Sequence, residues 1–436
     1  MRTKQNPRIF IGLTEISGYY GNLAKGFEAL GIKATFIETS QHRFVYNHNH
    51  RLWFIALIQW VGNKRLTTIR SHLWRKLWWT GLHQLLLLPL FIWAILKFDV
   101  FIFGFSSTFF YYYDLPILKA LGKTIFYVFN GSDARPPYLD GAILAVDQTI
   151  SLEQSLTLTK KQKKKLTRIE LYADIVINHI FSAHFHQKQC INWLQIGLPY
   201  QPTLSEEQTM AEPSTSAQQP VRILHSPSNP VAKGTPAIRQ AIAALKTRGY
   251  NIDYIEIIGQ PNQVVIQELG RCNFVIDQLY SDTPMAGFAA EAAFCGKPTI
   301  VGGYGWPHLK TLFAPEDIPP SHLCHPDDLE AAIEYLIVNP AYRKALGQKA
   351  YAFVQARWTP LKVAERYMRL IQEDIPPEWL YCPADIRYLH GFGMPEERIK
   401  CLIKQFIEAG GRAALQLSDK PTLEQLLTNF AVTKET

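Results

Sequence analysis

A lysine on a short polar loop between a strand and a helix is well placed to neutralise phosphate. The segment His225-Ser-Pro-Ser-Asn-Pro-Val-Ala-Lys-Gly-Thr-Pro-Ala-Ile238 has that form. The apolar run 222–225 predicts the strand, Thr235 is the expected N-cap and Pro236 the expected first helical residue. A helix start presents open backbone N–H groups and the positive end of its dipole. Lys233, with Ser226, Ser228, Asn229, Gly234 and Thr235 around it, is therefore a predicted phosphate site; a plain capped helix beside an exposed lysine is the alternative.

A carboxylate supplies the second element. In Thr283-Pro-Met-Ala-Gly-Phe-Ala-Ala-Glu-Ala-Ala-Phe-Cys-Gly-Lys-Pro-Thr-Ile300, the helical neighbours of Glu291 are Gly287, Phe288, Phe294 and Cys295, all small or apolar. Such a helix is expected to be buried, and a buried carboxylate needs a partner. A ribose diol, which can donate two hydrogen bonds, is one such partner. Small residues such as Ala286 and Gly287 would let backbone approach the ligand closely. A Glu291 that points to solvent is the alternative.

In the N-terminal half, Asn130-Gly-Ser-Asp-Ala-Arg135 follows the β-rich run 124–128. Loops beyond the carboxyl ends of α/β strands carry ligand contacts, so Asn130, Ser132, Asp133 and Arg135 are predicted to face a sugar or acceptor. An Asx-type turn with a structural salt bridge fits equally well. The turn Gly18-Tyr19-Tyr20-Gly21 follows the first strand and could reach a donor phosphate from the other side, although it is not a G-x-G-x-x-G motif.

These residues require a scaffold of alternating strands and helices. Strands are predicted at 9–13, 34–37, 100–104, 124–128 and 175–177, then again at 222–225, 253–258, 274–276 and 299–301, with helical or turn segments between them. The pattern implies two parallel sheets covered by helices. The polar stretch Ser205–Gln219 separates them. The expected organisation is an N-terminal Rossmann-like domain 1–204, a linker 205–220, a C-terminal Rossmann-like domain 221–374 and a helical extension 375–436 with a packing role.

The C-terminal motifs, taken in order, resemble the donor domain of GT-B-fold glycosyltransferases of the family 4 type. They are Ser-Pro-Ser-Asn followed by Lys233-Gly-Thr, then Asp277-Gln278, then Ala-Glu291-Ala-x-x-x-Gly-Lys-Pro. The resemblance implies two Rossmann-like domains facing a cleft and retaining transfer of a sugar from a nucleoside-diphosphate sugar to a hydroxyl. It implies that Lys233 binds the diphosphate, that Glu291 binds the ribose, and that Gly259, Asp277, Gln278, Thr283 and Phe288 join the donor contacts. Lys233 and Asp133 are the expected catalytic residues. Where the family often carries a glutamate, an arginine and a histidine, this chain has Thr283 (with Asp282 adjacent), Ser228 and Asn130. A GT-B-fold sugar-nucleotide epimerase and a non-catalytic partner of another transferase are the alternative readings.

The sequence contains no Asp-x-Asp pair, so a metal-independent reaction is expected, with no cofactor beyond the nucleotide sugar. The six cysteines are scattered, and His322-Leu-Cys-His325 lacks zinc-site spacing. They are read as reduced packing residues. Residues 1–8 are polar and basic, without the apolar core of a secretory signal, so a cytoplasmic location is expected.

The net charge of +8 is concentrated, because no acidic residue lies between Glu38 and Asp99. That stretch holds Arg43, Arg51, Lys64, Arg65, Arg70, Arg75, Lys76 and Lys97 among six tryptophans, with Leu66, Ile69, Leu73 and Leu77 at helical spacing. A basic, Trp-bearing amphipathic helix suits an anionic membrane surface. The apolar run 85–96 contains Pro89 and is shorter than the ~20 residues needed to span, so peripheral attachment at the inner face of the plasma membrane is expected. A lipid-linked or surface-polysaccharide acceptor would follow, and nucleic acid is not an expected partner. The lysine run 160–165 is read as a solvated helix face.

Overall fold

The computed structural model describes residues 6–39, 53–68, 73–105, 107–143, 150–200 and 219–433. Arg43, Arg51, Ile69, Arg70 and nearly all of the expected linker lie outside them.

Seven strands form the first sheet: β1 (Ile9–Leu13), β2 (Ala34–Glu38), β3 (Val100–Gly104), β4 (Thr124–Val128), β5 (Ile175–Asn178), β6 (Cys190–Asn192) and, from the far end of the chain, β12 (Leu380–Tyr381). Their order is β2-β1-β3-β4-β5-β6-β12, parallel except for β12. The second sheet holds β7 (Val221–His225), β8 (Ile252–Glu256), β9 (Phe274–Gln278), β10 (Thr299–Gly302) and β11 (His322–Cys324), all parallel, in the order β8-β7-β9-β10-β11. β1, β3 and β9 are buried at every position, as strands covered on both faces must be. The fold is two Rossmann-like domains.

In each sheet the order reverses once, at β1/β3 and at β7/β9. A crevice opens where neighbouring strands send their connections to opposite faces, and ligands bind there. The loops after β1 and β4 and those after β7 and β9 face each other across one cleft.

The C-terminal chain returns to the first domain earlier than the sequence suggests. The helix Pro360–Ile371, expected to close the second domain, packs on the helix Tyr19–Ala29. Gly26 is the contact point, where a Cβ would stand 2.0 Å from the Pro360 carbonyl oxygen. β12 then joins β6, and Tyr138 Oη donates to Leu415 O at 3.0 Å. The tail ties into both domains.

Several local expectations are corrected. The Gly18–Gly21 segment is helical from Tyr19 onward, because Gly18 (φ 75°) reverses the chain and the buried Glu15 carboxylate accepts the N–H groups of Tyr20 and Gly21 at 3.1 and 2.8 Å. The helix Leu73–Lys97 runs unbroken through Pro89 for 25 residues, and by length and composition it could cross a membrane. The lysine run is only partly solvated: Lys163 Nζ bonds Asp419, and Lys165 Nζ donates to the Asp133 carbonyl at 2.8 Å. Cys190, Cys272, Cys295 and Cys324 are buried packing residues, whereas Cys382 and Cys401 are exposed.

Candidate active site

The two switch points share a cavity of about 270 Å³. Its walls come from the loops after β1 (Ile16, Ser17, Tyr19) and β4 (Asn130, Ser132, Arg135), and from the second domain's Ser228, Asn229, Lys233, Gln278, Asp282, Thr283, Ala286, Gly287 and Glu291. Residues read from two distant parts of the sequence thus meet in one place.

The Lys233 loop is built by Asn229. Its Oδ1 accepts the N–H groups of Val231 and Ala232 at 3.2 Å each, and its carbonyl accepts Lys233 N at 3.0 Å. Gly234 then takes φ 74°, and a Cβ there would stand 2.6 Å from Leu279 Cβ, so only glycine fits. Lys233 Nζ bonds Gln278 Oε1 and lies 3.7 Å from Asp277 Oδ1.

The expected capping is corrected. Gly234, not Thr235, is the N-cap, and the Thr235 hydroxyl pairs with His225 Nε2 at 2.8 Å. The N–H groups of Lys233, Gly234 and Thr235 are taken by the carbonyls of Asn229, Val231 and Pro230. This helix has little left to offer an anion. The open N–H groups belong instead to the helix Gly287–Phe294, which no side chain caps. Among the described residues, no acceptor meets the N–H groups of Gly287, Phe288 and Ala289. Ala286 and Gly287 lie on the cavity wall, so Lys233 and the open start of the helix that carries Glu291 are the groups that could hold an anion there.

Glu291 is 6% exposed and accepts Asn262 Nδ2 at 2.8 Å. Burial raises its carboxyl from an ordinary 4.5 to about 7. Thr283 places a buried hydroxyl with no partner among the described residues on the wall.

Other expected donor residues stand back from the cavity. Asp277 is buried behind Lys233, with its carboxyl raised by desolvation. Ser226 Oγ donates to Ile257 O at 3.1 Å. Gly259 is exposed in the loop after β8, and Phe288 packs on the small core around Leu224 and Ile266.

On the opposite wall Tyr19 lines the cavity, its Oη pairing with Tyr367 Oη at 2.8 Å, whereas Tyr20 is buried behind it, where its Oη receives Asn130 Nδ2 at 3.1 Å. Gly18 and Gly21 shape the turn without lining the cavity, and Glu15 occupies the helix start where a phosphate would otherwise bind. Asp133 is buried beneath its loop: Oδ1 accepts Asn130 N at 3.0 Å, and desolvation raises the carboxyl. The Asx-type turn expected as the alternative is not the one formed, because the N–H that Asp133 accepts lies three residues before it and not two after it; the structural ion pair is the one that Arg135 makes. Lys233 lines the cavity and Asp133 does not.

Arg135 crosses the cleft. Its Nε and Nη2 donate to both oxygens of Asp282 at 2.6 and 2.8 Å, with Asp140 at 3.7 Å. Burial opposes the charge on each partner, yet their attraction outweighs it: the Arg135 guanidinium stays protonated and the Asp282 carboxyl falls below its ordinary value.

Three participants escaped the sequence reading: Asp282 as partner of Arg135, Asn262 as partner of Glu291, and Phe392. The Phe392 ring lies on the cavity wall, 4.4 Å from the Arg135 guanidinium and 5.7 Å from Lys233 Nζ. Gly391 and Gly393, at φ 65° and 74°, bend the tail so that Phe392 N donates to Leu139 O and Gly393 N to Tyr280 O. The glycine bracket was the available signal. Among the described residues one trio could ligate a metal, Glu170, His186 and Cys190, but Glu170 is engaged by His186 Nδ1 at 2.6 Å and by Gln187 N.

Residues 286–369, which include the helix with Glu291, match a family model described as glycosyl transferase-like. No curated protein matches the sequence significantly. Among solved structures, Anabaena HepE in complex with UDP and glucose is similar at 11% identity, over 84% of this chain and 99% of that one, with a TM-score of 0.46. A trehalose-6-phosphate synthase is similar at 10% identity (85% and 100% covered, TM-score 0.49), and Acinetobacter baumannii MurG at 13% (84% and 99%, TM-score 0.40). Likenesses this distant assign no substrate to this chain.

Proposed function

We propose that the protein is a nucleotide-sugar-dependent glycosyltransferase. The observation that carries this reading is the convergence, on one cavity, of Lys233, the uncapped start of the Gly287 helix and the buried carboxyl of Glu291. A cation and open N–H groups suit a diphosphate, and a carboxylate at hydrogen-bonding depth suits a ribose diol. The glycosyl transferase-like match over the same helix agrees with this.

In this reading the sugar lies toward Thr283 and the acceptor enters from the Asn130–Arg135 side. Negative charge developing on the departing diphosphate is stabilised by Lys233 and the N–H groups of Gly287 and Phe288. The acceptor hydroxyl attacks from the face the nucleotide leaves, with retention and no protein nucleophile. Asp133 then acts as a positioning residue that holds the acceptor loop. The acceptor we infer is lipid-linked, in a cytoplasmic enzyme at a membrane surface.

An epimerase would need a second free carboxyl group at the cavity. Only Asp282 joins Glu291 there among the described lining residues, and Arg135 binds both its oxygens. A non-catalytic partner would bind donor without consuming it. Donor turnover dependent on an added hydroxyl acceptor, lowered about 10²- to 10³-fold in Lys233→Ala, supports transfer; binding without turnover on any acceptor supports the non-catalytic reading.

A further inference from the structure

The helix Leu73–Lys97 is apolar on two opposite sides. Its inner stripe, His83, Leu87, Leu90, Phe91 and Ala94, is buried. Its outer stripe, Trp74, Trp78, Leu85, Leu88, Ile92 and Leu96, is exposed, with Trp74 84% and Leu96 72% accessible. These outer positions are spaced by three, four or seven residues, one or two helical turns, so they form one line along a helix of about 37 Å. A soluble protein rarely leaves so long an apolar stripe in water.

The inner stripe decides the orientation. Leu87, Leu90, Phe91 and Ala94 belong to the principal core beside Phe98 and Phe109, so the helix cannot stand across a bilayer without leaving that core. The outer stripe can only be covered by something lying flat against the domain.

The hairpin partner, helix Trp53–Thr67, indicates what that cover is. Between the two helices lies a groove of about 740 Å³ lined by Trp60, Lys64, Thr67, Arg75, Trp78 and Trp79. Lys64 Nζ sits 5.9 Å from the Trp60 ring, and Trp79 meets both Trp60 and Trp78 edge-on at 5.5 and 4.7 Å. Cations set among tryptophan edges, beside a line of leucines and with no acidic residue from 39 to 98, match the headgroup layer of an anionic bilayer in both charge and polarity.

We propose that the helix pair Trp53–Thr67 and Leu73–Lys97 seats the protein in the plane of an anionic phospholipid membrane, with headgroup phosphate in the Lys64/Arg75 groove and the Trp74–Leu96 stripe among the acyl chains. This seating does not depend on the sugar chemistry proposed above.

The test is flotation of the full-length protein with vesicles of phosphatidylcholine alone or with a third phosphatidylglycerol. Expected are binding to the anionic vesicles, much weaker binding to the neutral ones, and release by alkaline carbonate. Each cation near an anionic surface contributes about fivefold, so losing three lowers partitioning by about a hundredfold and Lys64→Glu/Arg75→Glu/Lys76→Glu, which also adds three negative charges, by more than that. Trp74→Ala/Trp78→Ala lowers it with the charges intact, and quenching of wild-type tryptophan by brominated lipid places those rings in the acyl region. Circular dichroism spectra and melting temperatures matching the wild type confirm the fold of the variants. Equal binding to neutral vesicles or undiminished binding after charge reversal overturns the proposal. So does retention through carbonate, as a spanning helix would show, or lipid-free dimerisation through the stripe without vesicle binding.

Discussion

Glu291 carries the sharpest consequence at the scale of single residues. Its carboxyl is raised from 4.5 to about 7, so the folded protein ionises it at a cost that an unfolded chain does not bear. The sign follows: the associated stability is full below about pH 4.5 and is lost as pH rises through 7, by on the order of 3 kcal/mol. Melting temperatures between pH 5.5 and 8.5 should fall for the wild type and stay flatter for Glu291→Gln. Donor binding should run the other way, because the ionised carboxylate is the better acceptor for a ribose diol. Phe392 gives a second residue-scale prediction. Phe392→Ala removes the ring beneath Arg135 and Lys233, a cation–π contribution of about 0.5–2 kcal/mol, and should raise the donor KM roughly tenfold while Phe392→Leu falls between. Lys233 and Glu291 were legible in the sequence because their types are costly in those local settings. Asp133 was misread because a buried aspartate that serves its own turn has the same local sequence as one that faces substrate. The glycines on either side of Phe392 mark a bent backbone, but its place in the cleft was illegible because nothing local links position 392 to position 135.

At the scale of elements, the strands that are runs of β-branched and aromatic residues bounded by polar turns were read to within a residue or two, whereas β6, β11 and β12, only two or three residues each, were missed because so short a run carries no pattern. Helix starts were read less well. Thr235 looked like a cap, but the chain spends it on His225, and the uncapped start that matters lies at Gly287, where a row of alanines and glycine gives no capping signal. Pro89 suggested a break, yet a proline costs a helix one hydrogen bond and some crowding, and the packed inner face of Leu87, Leu90 and Phe91 outweighs that. The docking of helix Pro360–Ile371 on Tyr19–Ala29 rests on Gly26, whose absent Cβ leaves room for the Pro360 carbonyl. Gly26→Leu should therefore separate the tail from the first domain and lower stability by 1–3 kcal/mol or more, visible as a reduced denaturation midpoint and as early proteolysis after residue 357.

At the scale of the molecule, composition and alternation indicated two α/β domains, but not that the chain threads back to bind both. The cleft is bridged by the Arg135–Asp282 pair, 147 positions apart, and by the Phe392 loop, contacts that no local pattern announces. Arg135→Ala leaves Asp282 and Asp140 buried without their cation. It should cost about 3–5 kcal/mol in thermal or urea unfolding, more than Arg135→Ala combined with Asp282→Asn, which removes the orphaned charge as well. The claim on which the whole account rests is that this cleft holds a nucleoside diphosphate between Lys233 and the Gly287 helix. Calorimetric titration of nucleoside diphosphates and their sugar conjugates into the wild type, Lys233→Ala and Glu291→Gln tests it directly. The account predicts one saturable site in the wild type, loss of most diphosphate affinity in Lys233→Ala, and a selective loss for ribose-bearing ligands over pyrophosphate in Glu291→Gln. Absence of binding across the common bases, or equal affinity in all three proteins, would contradict it.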